Sequence, residues 1–221
     1  MKALRLAERV VPRYGIVVLL LMLGVNALTY YATRPFTAGL YHYNWFLPID
    51  AHIPFVPAWI IIYIAAYLQW VIGYIIIARE SKEVCYSVLT GEMLAKLMCM
   101  VIFLVFPTTM QRANVTGNDF CSQLVQLIYA TDRPDNLFPS IHCLESWLCF
   151  RGALRVKKVG RLYAPLSFVF ALLVFASVVL VKQHVAIDII GGVAVAELGL
   201  LLSNKTGVYR IFYRLNRGEQ A

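Results

Sequence analysis

Apolar runs of about twenty residues recur along this chain and decide its fold class. A helix of that length spans roughly 30 Å, the thickness of a bilayer's hydrocarbon core. The runs cover approximately residues 14–31, 58–78, 88–106, 139–154, 162–181 and 185–203, the fourth being short. Only 14% of the 221 residues are charged and 60% are hydrophobic, whereas a soluble domain carries roughly a quarter charged residues. The expectation is an all-α polytopic membrane protein, with six transmembrane helices in one bundle and a single domain over residues 1–221. The first run follows Lys2, Arg5, Arg9 and Arg13 and continues into Tyr30 and Tyr31 without a small-residue cleavage site. It is therefore expected as a retained span, not a signal peptide.

Six spans place both termini on one side. On that side fall fifteen of the 20 Lys and Arg, in the two termini and in links 79–83 and 151–161. Four others, Arg34, Arg112, Arg133 and Lys182, fall on the opposite side, and Lys96 lies within the third run. Such a bias marks the termini as cytoplasmic. It also accounts for the net charge of +8 without a nucleic-acid partner. Residues 33–57 are polar and aromatic and fit an outer interfacial segment. The longest polar stretch, 108–136, is expected to carry a short helix over 122–129. The five cysteines have neither C-x-x-C nor zinc spacing and are expected as free thiols.

Two motifs converge on the outer face. The stretch 181–192 reads V-K-Q-H-V-A-I-D-I-I-G-G. Its His184 and Asp188 are four apart, one turn along a common helix face. A carboxylate behind an imidazole fixes its tautomer and makes its free nitrogen a better base or nucleophile. Stabilising a helix start at the interface is the structural alternative for the same pair. The stretch 137–145 reads L-F-P-S-I-H-C-L-E. Pro139 and Ser140 suit a helix start, whose N–H groups attract anions. His142 there is positioned to protonate a leaving group. Arg112, Lys182 and Arg133 are candidate phosphate-binding cations, because phosphoryl oxygens need several donors. Arg34 is expected as an interface cation whose head reaches water. Glu92 and Lys96 have i,i+4 spacing and are expected to pair. Glu145 follows His142 by three residues and is a candidate to tune it.

P-S-x-H followed by H-x-x-x-D resembles the type 2 phosphatidic acid phosphatase (PAP2) superfamily of lipid phosphate phosphatases and phosphotransferases. The similarity covers roughly residues 107–192. The resemblance implies that His184 attacks phosphorus to form a phosphohistidine, that Asp188 orients it, and that His142 protonates the leaving alkoxide. It implies Arg112 as the family's arginine and Lys182 as a partial replacement for the arginine missing at 178, with no metal and no cofactor; Ser140, at the anion-attracting helix start, and Arg133, an outer cation, complete the expected phosphate ligands on the residues alone. The family's K-x6-R-P has become Val105, Arg112 and Ala113; its S-R-x5-H retains Ser177 but has Val178 for the arginine; and P-S-G-H reads P-S-I-H. These departures resemble the branch of inositol-phosphorylceramide synthases and some bacterial lipid phosphatases.

The expected function is hydrolysis of a phosphomonoester or diphosphate of a membrane lipid. The site would lie on the extracytoplasmic side of a membrane, a bacterial cell membrane by that likeness. An alcohol acceptor in place of water would make the protein a phosphotransferase or head-group synthase. A proton-relaying transporter or lipid-binding protein is the reading from another class, but its ionisable residues would line a path through the bilayer, ideally in two repeated halves. The partners expected are the lipid substrate and the bilayer; the sequence leaves the substrate and the oligomeric state open.

Overall fold

A computed structural model describes residues 8–215. Lys2, Arg5 and Arg217 of the charge count lie outside the described residues. Helix α1, Arg13–Ala27, continues through a π-helical turn at Leu28–Ala32 into the short α2, Arg34–Thr37. Then follow α3, Ile60–Glu80, and α4, Lys82–Val105. The polar stretch carries α5, Phe120–Thr131, which contains the helix expected there. Next come α6, Ile141–Ala153, α7, Tyr163–Leu180, α8, Ala186–Thr206, and α9, Ile211–Leu215. Two isolated backbone bridges, Tyr43 with Thr108 and Thr109 with Asp135, tie the loops together.

Five segments are long and apolar enough to cross a membrane: Arg13–Thr37, Pro57–Glu80, Lys82–Val105, Tyr163–Leu180 and Ala186–Thr206. The chain is an all-α polytopic membrane protein. The fourth of the six expected runs is different. Helix α6 has 13 residues, about 20 Å of rise, short of the roughly 30 Å core. It packs against α3, α4, α7 and α8, and its Leu144, Leu148 and Cys149 are completely buried. Its apolarity reflects protein neighbours on most faces. Irregular backbone leading into such a helix is tolerated at membrane depth where protein surrounds it.

Helices α4 and α8 approach closely at Gly91 and Gly199. A Cβ on Gly199 would stand 2.9 Å from the Ala95 Cβ and 3.0 Å from its nitrogen. The cysteines are free; Cys85, Cys99, Cys143 and Cys149 are buried and Cys121 is half-buried.

The Glu92–Lys96 pair gains a nearer partner, and Arg34 is paired where a lone interface cation is expected. Lys96 Nζ is 4.0 Å from Glu92 Oε1 but 2.6 Å from Glu145 Oε1 on α6. Helical spacing brings Glu92 close, yet the facing helix presents the nearer carboxylate. Arg34 is not a lone interface cation. It lies 2.8 Å from Asp132 and 3.1 Å from Asp135, with its guanidinium over the Tyr30 ring. The loop after α5 supplies carboxylates that the local sequence around Arg34 lacks.

Candidate active site

The turn between α7 and α8 is built by backbone hydrogen bonds. The Gln183 N–H donates to Val178 O and the Lys182 N–H to Val179 O, the pairing of a Schellman C-cap. Lys182 takes the left-handed position, φ 51°, where glycine is usual. The cap hands the chain directly to His184, whose N–H also donates to Val178 O. Position 178, where the related motif carries arginine, thus contributes its carbonyl. Two carboxylates then satisfy the start of α8. Asp188 Oδ2 accepts from the Val185 N–H at 3.1 Å, and Asp50 Oδ1 accepts from the Ala186 N–H at 2.8 Å.

The same Asp188 oxygen lies 3.0 Å from His184 Nδ1. Asp188 is 1% exposed, so the carboxylate is held on both sides and fixes the ring. Its backbone carbonyl accepts from the Ser140 N–H at 3.0 Å, which joins the two motifs. The His142 and His184 ring centroids are 6.1 Å apart, close enough for one phosphoryl group to touch both. His142 stacks on Tyr63 at 4.2 Å and is flanked by Tyr67 and Trp70.

Gly192 permits this junction. A Cβ there would sit 2.5 Å from Ser140 O and 3.1 Å from the Cys143 Cβ. Gly192→Ala is expected to push α6 off α8, lowering stability by about 1–3 kcal/mol. A thermal melt in detergent checks the loss.

Two cavities meet at His184. The larger, about 530 Å³, is also lined by His142, Gln183, Asn26, Lys96, Glu145, Tyr67, Trp70 and Arg133. The smaller, about 480 Å³, is lined by Arg112, Lys182, Asp50 and Asn44. Arg112 Nη2 donates to Gln183 Oε1 at 2.6 Å, Nη1 bonds the carbonyls of Tyr129 and Asp132, and the guanidinium covers the Tyr129 ring. Burial lowers the pKa of Arg112 and pushes that of Tyr129 up to about 12. Three buried nitrogens around His184 have no hydrogen-bond partner: Arg112 Nε, Gln183 Nε2 and His142 Nε2.

The other expected ligands are engaged elsewhere or lie at the cavity edge. Lys182 Nζ donates to Asp50 O at 3.2 Å and Ile53 O at 2.6 Å, clamping the 48–53 loop, although its side chain lines the smaller cavity. Arg133 is exposed and lines the larger cavity. Ser140 is completely buried and lines neither cavity; its Oγ accepts from the Cys143 N–H as the cap of α6. Val105 is 59% exposed and lines neither cavity, so no cation stands in for the family's lysine there. Gln183 and Asp50 were not anticipated, since a glutamine beside a histidine and an aspartate in a loop carry no motif. Among the described residues, no group of three or more His, Cys, Asp and Glu is placed to hold a metal ion.

Helices long and apolar enough to cross a membrane thus carry a paired imidazole and carboxylate, a facing imidazole and a half-buried guanidinium at one site of an integral-membrane protein. The sequence model of the PAP2 superfamily matches residues 36–202, and the chain belongs to that superfamily. No curated protein and no solved structure matches it significantly.

Proposed function

We infer that this chain is a lipid phosphate phosphatase acting through a phosphohistidine. The observation that carries the reading is the set of unpartnered buried nitrogens of Arg112, Gln183 and His142 around the His184–Asp188 pair. Orphan donors are costly unless a ligand satisfies them, and a phosphoryl group has three acceptor oxygens. With Nδ1–H held on Asp188, Nε2 of His184 attacks phosphorus. The phosphorus–oxygen ester bond breaks, and the leaving oxygen takes a proton from His142. Water then attacks the phosphohistidine and gives its proton to His142. The phosphorus–nitrogen bond breaks, His184 recovers its electron pair, and phosphate leaves. Arg112 meets the charge on the equatorial oxygens, and Asp188 acts as a positioning residue. The cations Arg79 and Lys158 at the opposite end of the bundle support an extracytoplasmic site.

A second reading, transfer to an alcohol, is favoured by the smaller cavity, which would give an acceptor its own approach to His184. Purified protein in micelles should release phosphate from phosphatidic acid, phosphatidylglycerophosphate or a polyprenyl diphosphate, with turnover unaffected by EDTA. Head-group exchange without phosphate release would favour the transferase. Neither activity on any of the three lipids would refute both readings, and loss with chelator would require a metal.

A further inference from the structure

The larger cavity has a charged floor that the phosphoryl chemistry above does not use. Lys96 and Glu145 are 0% and 2% exposed and pair at 2.6 Å. Asn26 Nδ2 donates to Glu145 Oε1 at 3.2 Å, and the Tyr74 hydroxyl donates to the other carboxylate oxygen. All of Asn26, Lys96 and Glu145 line the cavity. Lys96 Nζ is buried without a well-formed hydrogen bond, and so are both oxygens of Glu92 behind it. Two carboxylates thus share one ammonium inside the bundle. Buried charges offset their desolvation only when geometry and hydrogen bonds are complete, and ionisable groups among membrane helices usually serve a ligand or a path.

Position narrows the task. Lys96 lies nine residues below the end of α4 at Val105, about 14 Å by helical rise. Asn26 is eleven residues below the end of the first span at Thr37, a similar depth of about 16 Å. Glu145 lies one turn below His142 on α6. The floor is therefore deep in the bundle on the His142 side. The same cavity is lined by the apolar Ala27, Phe103 and Ile141 and the rings of Tyr67 and Trp70, as well as by the polar Arg34, Asp132, Asp135 and Asn136. A hydrocarbon needs only the apolar part of that lining. A charged floor offers hydrogen-bond donors and acceptors that a hydrocarbon cannot meet.

We propose that Asn26, Lys96 and Glu145 form a subsite for the alcohol part of the substrate, selecting lipids that carry hydroxyl or amide groups within a few bonds of the phosphoester. The subsite rests on the phosphatase reading for its place in the reaction, because His142 is the residue assigned to that alcohol's oxygen. Its binding does not depend on turnover. Glycerol-based and sphingoid backbones share the required chemistry; polyprenyl chains lack it.

Thermal melts of the purified full chain in detergent, with 1-oleoylglycerol, a short-chain ceramide or geranylgeraniol, test the subsite without catalysis. The first or the second is expected to stabilise the protein and the third not, and which of the two does so identifies the backbone. Asn26→Leu, and Lys96→Met combined with Glu145→Gln so that no buried charge of the pair is orphaned, should abolish the difference. Asn26→Leu leaves the ion pair intact and covers the case in which the double variant does not fold. In turnover, the ratio of kcat/KM for lysophosphatidic acid over geranylgeranyl phosphate should exceed tenfold and fall toward one in Asn26→Leu. Equal stabilisation by all three alcohols, preference for geranylgeraniol, or an unchanged difference in Asn26→Leu would overturn the subsite. Selective stabilisation with no phosphate released from any lipid would retain the subsite and refute the phosphatase.

Discussion

Replacing His184 by alanine is expected to lower phosphate release by about 10⁴-fold or more, the scale of loss when a covalent nucleophile is removed. Among the described residues its side chain hydrogen-bonds Asp188 alone, so the bundle should survive the change. Asp188 keeps its bond to the Val185 N–H, and its carbonyl still accepts from Ser140. Turnover of the lipid phosphate that the wild type uses best measures the loss. Rapid denaturation during turnover should also trap an acid-labile phosphoprotein in the wild type and none in the variant. An alanine variant with wild-type turnover would remove the nucleophile from the mechanism while leaving the family assignment in place.

The second large effect belongs to Arg112. Arg112→Ala is expected to reduce kcat/KM by about 10²- to 10³-fold, as when a preorganised donor to a developing charge is lost. The change also strands the acceptors that Arg112 now satisfies, Gln183 Oε1 and the carbonyls of Tyr129 and Asp132. Arg112→Lys should recover little, because an ammonium cannot hold that set and still offer an anion a further N–H, as the unpartnered Arg112 Nε does. Arg133, exposed at the edge of the larger cavity, provides the comparison and should show a smaller loss as alanine. Equal losses at 112 and 133 would shift the phosphate away from the Arg112–Gln183 pair.

Much of this was legible one residue at a time, and the remainder depended on contacts that no spacing encodes. The apolar runs around Ile60–Glu80, Lys82–Val105, Tyr163–Leu180 and Ala186–Thr206 announce long helices because lipid and core both demand apolar side chains. The same apolarity made Ile141–Ala153 resemble a span, although its neighbours are helices more than lipid. His184 and Asp188 were readable together because one helical turn separates them. The approach of His142 required the Ser140 N–H to find the Asp188 carbonyl across about fifty residues of chain, which the shared motif order implied but spacing alone could not. Lys96 shows the limit most clearly. Its partner by spacing is Glu92, and its nearer partner, Glu145, is decided by how α4 faces α6. Ser140 looked like a ligand because it precedes a helix; the capping bond that makes serine common there also turns its oxygen inward.

The brevity of α6 also concerns the membrane itself. His142 stacks beside Tyr63 and Trp70, the latter ten residues into α3, so a phosphorus held there, as the proposed reaction requires, would lie within the end of the bundle and not beyond it. On that reading a lipid would have to sink, or the leaflet dip, to meet the protein, and each ångström of such mismatch costs a fraction of a kcal/mol. Leaflet thickness would then help to decide how readily a head group is brought down to the imidazoles.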